Sequence, residues 1–170
     1  MVAEGTLNRI CIRMNSIYED VRMRLYFKGE SLKRKDVDYC VVQASPDEDK
    51  DMIRGFAESA MNEVAQTVVK RMATFDWSIS REEGEERIIM EFVPYKREKA
   101  EDEGRMCKIA GQAIFDYVVN FCIGEWLGVV SPELAGEYVA RNEGLMFKVR
   151  KAFAGLSPLN GRRATDLAGI

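Results

Sequence analysis

The sequence predicts a mainly α protein with a small antiparallel β element, an amphipathic helix bundle carrying one β-hairpin. Three observations predict it. Apolar residues recur at helical spacing over three long stretches. Near residues 75–93 two runs switch to a period of two around a Gly-bearing polar turn. Two Ser-Pro pairs stand where helices should begin.

The elements follow in order. Leu7–Met14 alternates, with Ile10, Ile12 and Met14 on one side and Arg9, Cys11 and Arg13 on the other, which predicts a half-buried strand. Asn15 or Ser16 then caps a short helix in which Ile17, Val21, Arg24 and Leu25 recur, and Gly29 supplies its stop. Ser31–Asp38 is charged and reads as a loop; Tyr39–Gln43 is apolar and suits an extended run. Ser45-Pro46-Asp47-Glu48 is a capping box with Pro at the first helical position. Behind it Ile53, Phe56, Ala57, Ala60, Val64 and Val68 line one face of a long helix to about Met72.

The period then switches. Phe75, Trp77 and Ile79 alternate, then Ile88, Met90 and Phe92, and Pro94 ends the second strand. The polar stretch Arg81–Glu86 between them is longer than the two-residue optimum, which leaves the turn type open. A lone hairpin is marginal in water, so a third strand or a helix should back it, and the N-terminal strand is placed to do so. After the charged Lys96–Arg105, the strongest helical period runs through Met106, Ile109, Ala110, Ala113, Ile114, Tyr117, Val118, Phe121, Cys122 and Trp126. Ser131-Pro132-Glu133 opens a last helix with Leu134, Ala135, Tyr138, Val139, Leu145, Met146, Val149 and Phe153 inward. The short link between these two helices predicts an antiparallel pair. The organisation is a single helical domain over 1–155, with a flexible C-terminal tail over 156–170.

Composition bounds the chemistry. The chain has 170 residues, 46% of them apolar, which suffices for a core. It has no histidine. A Ser-His-Asp triad, a Cys-His dyad and a His-ligated metal are therefore excluded. No two of Cys11, Cys40, Cys107 and Cys122 are spaced as C-x-x-C, and Cys107 and Cys122 fall on an apolar helix face as small hydrophobes. Met1–Thr6 has neither a basic region nor an apolar run, so no signal peptide is expected. Gln112, Asp116, Asn120 and Glu125 interrupt the most apolar helix and argue against a membrane span. The chain reads as soluble and cytoplasmic.

The candidate sites have structural readings. Asp47, Asp49, Asp51 and Glu58 mimic part of a calcium loop, but Met52 stands where that loop needs Gly, and acidic residues suit a helix start. Glu82, Glu83, Glu85 and Glu86 surround Gly84 and read as a solvated hairpin tip that resists edge pairing. Ser78 and Ser80 have no dyad partner at a meaningful spacing. Gly104, Gly111, Gly124 and Gly128 form no phosphate loop, and Gly124 and Gly128 suit close helix packing. Trp77 and Trp126 are core or interface anchors. No catalytic residue, no cofactor, no metal and no small-molecule substrate is expected.

Charge is more informative. The net charge of −3 hides a polarity. Arg141–Arg163 carries six cations against Glu143 alone, or +5, which leaves −8 for the rest. Lys148, Arg150, Lys151, Arg162 and Arg163 are therefore the candidate residues for a partner or nucleic-acid contact. The other reading is that cations favour a helix C-terminus.

The order of segments carries a resemblance. Ile17-Tyr18-Glu19-Asp20-Val21 opens a short helix and Ser45-Pro46-Asp47-Glu48-Asp49 a long one. A hairpin follows, then a helix containing Glu125-Trp126-Leu127, and Ser131-Pro132-Glu133-Leu134-Ala135-Gly136-Glu137-Tyr138 opens the last. Over residues 7–153 this plan resembles proteins of phage and prophage structural modules, and in outline the small helical head–tail connector proteins of tailed phages. The resemblance implies a building block without turnover that assembles as a homo-oligomer or ring with other virion proteins, in the host cytoplasm or the virion. It brings no catalytic residues.

Overall fold

The computed structural model describes residues 7–33, 49–94 and 103–156, with the side chains of Lys33 and Glu103 left aside. Strand β1 (Asn8–Arg13) runs directly into helix α1 (Met14–Lys33). Helix α2 (Lys50–Val68) leads through a 3-10 turn (Val69–Arg71) into β2 (Met72–Glu82), and β3 (Glu85–Pro94) returns. Helices α3 (Glu103–Val130) and α4 (Pro132–Leu156) complete the fold. It is mainly α with one small antiparallel sheet, as the pattern predicts.

The sheet order is β1-β3-β2, both pairings antiparallel. The N-terminal strand does join the hairpin. Its period of two holds: Ile10 and Ile12 are buried, whereas Arg9, Cys11 and Arg13 are exposed. On the same inner face lie Ile88, Met90 and Phe92 of the central strand. The helices cover this face, and the opposite face carries Arg9, Arg13, Arg87 and Glu91.

The hairpin loop is shorter than the six polar residues suggest. Glu82 pairs with Glu85, leaving the two-residue turn Glu83-Gly84. Both residues have positive φ, 54° and 83°, the signature of a type I′ turn. Its twist matches that of the strands, so the ladder extends through the charged residues at the tip.

Three other expectations change. Gly29 does not stop α1, which continues to Lys33 with Gly29 buried, because tertiary packing outweighs the local helix cost of glycine. The helix expected to reach Met72 ends at Val68, and Met72 already begins β2. Ile109 and Val139 point outward, 48% and 55% exposed, because helical spacing marks a stripe but not its edges. The capping box Ser45–Glu48, the run Tyr39–Gln43 and the tail beyond Leu156 lie outside the described residues. Among the described ones, Asp49 is the N-cap of α2, without a side-chain cap bond.

Helix α3 is the centre of the molecule. Every residue from Tyr117 to Gly124 is buried. Helix α4 runs antiparallel to it. Gly124 faces Tyr138, where a Cβ would lie 3.4 Å from the tyrosine Cβ. Asn120 donates to the Tyr138 carbonyl and to Asn142 Oδ1, both at 2.8 Å. A Cβ on Gly155 would collide with Met106 Cε. Each step toward the start of α3 thus meets an equal step toward the end of α4. Gly124 serves close packing as its spacing suggests, but Gly128 faces open space. Phe153 closes the far end, edge-on to Phe92 and Phe75 with ring centroids 5.4 and 6.4 Å away.

Candidate functional site

Three surface regions concentrate the charged and open features of the fold. The first is the hairpin tip, whose four carboxylates are not free. Glu86 faces inward, accepting from Arg54 Nε of α2 at 2.8 Å and from the Tyr18 hydroxyl of α1 at 3.3 Å. On the outer face Glu82 pairs with Arg9, Glu85 with Arg13 and Arg87, and Glu83 with Arg87. Arg9 stands opposite Glu91 in the ladder, six residues from Glu85. Those contacts raise the guanidinium pKa values of Arg9, Arg54 and Arg87, chiefly through hydrogen bonds to Glu82, Glu86 and Glu83. Burial first, and then Glu86, pushes the Tyr18 hydroxyl upward. Exposed ion pairs of this kind add little to stability, so the cluster orients the tip more than it stabilises the fold. The spacing of Arg9 and Arg13 on the polar side of their strand was the available signal for this clasp. Their partners lie more than 70 residues away.

The second region is a slot of about 830 Å³ beside β1. Residues 7–13 form one wall, and Gly104, Cys107, Lys108, Gly111, Gln112 and Phe115 of α3 form the other. Helix and strand run in the same direction. Cys107 Sγ contacts Asn8 Oδ1 at 3.5 Å, and a Cβ on Gly111 would sit 3.2 Å from Ile10 Cγ2. Four helical residues rise about 6 Å and two strand residues about 6.6 Å, so the two walls stay in step. Among the described strands β1 stands at the end of the order, paired to β3, and it lines the slot. Sequence periodicity identifies the strand but cannot say which strand is at the edge.

The third region is the basic side of α4. Lys148, Arg150 and Lys151 are all exposed, and none has an ion-pair partner among the described residues. They do not form one face. At about 100° per residue, Arg150 lies about 200° around the helix from Lys148. Lys148 instead lines a groove of about 500 Å³ with Arg24, Arg141, Asp116 and Asn120. Arg141 also pairs with Glu137, which accepts from Lys28 of α1 at 3.0 Å. These cations hold the Glu137 carboxyl below its usual range, Lys28 most strongly. Arg162 and Arg163 lie outside the described residues.

The remaining candidates divide simply. Cys122 is buried, and burial pushes its thiol pKa upward, whereas Cys11 is exposed on β1 and Cys107 is half-buried. Asp51 lies in the first turn of α2, and Glu58 pairs with Arg54. Among the described residues no group of three acidic or thiol side chains is placed to hold a metal ion. Trp126 is buried and Trp77 is half-buried against the core. Gly104–Val130 is long and apolar enough to cross a membrane, with 61% of its most apolar window buried inside the chain.

The fold defines a helical domain built around one central helix, with a three-stranded sheet at one end. Compared with known proteins, the chain matches no family model, no curated protein and no solved structure.

Proposed function

We propose that this chain is a phage or prophage virion-assembly protein of the head–tail connector type, acting by self-assembly and protein contacts rather than by catalysis. One observation carries the reading. Met23, Tyr26 and Phe27 stand at i, i+3 and i+4 on α1, and each is about half exposed or more. Such a stripe on a helix otherwise docked through Ile17, Val21 and Leu25 suits a subunit contact. The pairing of the tip carboxylates with arginines supports the same reading, because it gives them a structural role in place of an acid–base one.

Light scattering on the protein, and on a version lacking residues 156–170, tests assembly, with a pull-down against portal and tail components beside it. Phe27→Glu should weaken whichever assembly forms. A strict monomer that binds no portal or tail component refutes the proposal.

Nucleic-acid binding through the basic end of the chain is the second reading. It is favoured by the unpaired state of Lys148, Arg150 and Lys151 among the described residues. It predicts salt-dependent DNA binding that falls when these three are neutralised. No binding at low salt removes it.

A further inference from the structure

We propose that β2 pairs edge to edge with β2 of a second copy of this chain, antiparallel about Trp77, so that two three-stranded sheets join into one. This goes beyond the assembly reading, because it names a two-fold contact and does not depend on a virion.

β2 stands at the far end of the described strand order, with β3 on one side. The turn fixes which of its backbone groups face the other side. Glu82 and Glu85 flank a two-residue turn, so they form a hydrogen-bonded pair. Such pairs alternate along an antiparallel ladder. Ser80, Ser78 and Asp76 therefore bond to β3, and Arg81, Ile79, Trp77 and Phe75 turn their N–H and C=O groups away from it. A separate contact agrees. The Trp77 N–H donates to Asp76 Oδ1 of its own strand at 2.9 Å. Among the described residues no other element bonds to the β2 backbone on this side.

The core also ends at β2. Phe92, Met90 and Ile88 are wholly buried, yet their ladder partners Phe75, Trp77 and Ile79 are only half-buried. Edge strands are usually guarded by charge, proline or a bulge. β2 has a register shift between Met72 and Thr74, and the charged Arg81-Glu82 at its other end. Between them, Phe75–Ser80 carries Asp76 as its one charge.

The strand's own sequence selects a second copy. Trp77 is the midpoint of Met72–Glu82. Antiparallel pairing about it sets Trp77 against Trp77, Phe75 against Ile79, Asp76 against Ser78 and Thr74 against Ser80 of the second copy. The outward backbone groups of Phe75, Trp77 and Ile79 then meet their counterparts. Apolar side chains continue the core face across the two-fold axis, and no like charges are opposed. Other registers fit less well. Pairing about Asp76 opposes the two Asp76 carboxylates, pairing about Ile79 opposes Asp76 and Glu82, and pairing about Ser78 sets Phe75 against Arg81. Asp76 must release the Trp77 N–H, and the contact is narrow, so the dimer should be reversible.

Sedimentation velocity on the full chain between about 10 μM and about 1 mM reads the dimer, and amide hydrogen exchange by NMR reads its register. The expected result is a dimer that grows with concentration. It should slow exchange at Phe75, Trp77 and Ile79 more than at Asp76, Ser78 and Ser80, which already bond to β3. Ser78 is exposed, so its variants leave the fold intact. Ser78→Lys sets an ammonium opposite Asp76 of the second copy and should tighten the dimer several-fold. Ser78→Glu sets a carboxylate there and should weaken it several-fold. A monomer throughout the range, a dimer without this alternating protection, or equal affinity of the two Ser78 variants overturns the proposal. Protection at these amides that dilution does not change also overturns it, in favour of another segment of the same chain. A monomer that still binds portal or tail components leaves the assembly reading standing and removes only this pairing.

Discussion

Phe153 offers the sharpest test of how the helices hold the sheet. Its side chain is fully buried and meets Phe92 of the central strand and Phe75 of β2 edge-on. Replacement by Ala removes the ring and leaves a cavity between α4 and the sheet. Core Phe→Ala changes cost about 3–5 kcal/mol. The two ring contacts place this site near about 4 kcal/mol, since aromatic pairs add to area burial. Phe153→Leu keeps most of the volume and should cost about 1–1.5 kcal/mol. For a chain of this length each kcal/mol shifts the melting temperature by about 2–4 °C. Phe153→Ala should therefore melt about 8–16 °C lower. Urea unfolding is the assay. A fall in midpoint at constant slope reports lost stability rather than a changed denatured state. If the Ala variant stays within about 1 kcal/mol of the parent, or matches the Leu variant, the ring does not pin α4 to the sheet.

Other predictions concern the turn, the thiols and pH. Gly84 sits at φ 83°, so Gly84→Val should destabilise by about 1–2 kcal/mol, read from the same urea curves. Gly55→Ala, in an exposed helical position with open space around it, should stabilise slightly. Iodoacetamide followed by peptide mass spectrometry should label Cys11 in the native protein and Cys122 only after unfolding. Tyr18 and Tyr117 have pKa values raised above 10 by burial first and then by Glu86 and Glu63, and burial raises Cys122 above 9. The folded state then keeps protons that the unfolded chain releases. The corresponding stability is complete below about pH 9 and declines as pH rises toward the folded values. Urea midpoints from pH 7 to 11 should show this decline, and Tyr117→Phe should make it shallower. A flat profile would contradict the burial of these groups.

Much of the architecture is legible in the chain because burial imposes period. Ile10 and Ile12 on one side of a strand, and Ile114, Tyr117, Val118 and Phe121 on one side of a helix, mark their elements directly. Ser131-Pro132 marks the start of α4 because proline suits the first helical turn. Boundaries set by competition are less legible. Gly29 is a stop signal in isolation, yet packing carries α1 past it. Glu83-Gly84 makes a tight turn inside what reads as a long polar loop, because strand pairing continues through the charged flanks.

The candidate surfaces divide in the same way. Alternation alone determined that Arg9, Cys11 and Arg13 share the outer face of a strand, and composition alone excluded imidazole chemistry. That β1 pairs with β3 at one end of the described strand order, that α3 runs beside it in step, and that the tip carboxylates meet Arg9, Arg13, Arg54 and Arg87 were decided by tertiary structure. So was the separation of Lys148 from Arg150 around α4, which their nearness in the chain conceals. The physical reason is range. Periodicity records which side of each element is dry, whereas edges, slots and ion pairs depend on which elements become neighbours, and contacts across 70 or more residues leave no local trace.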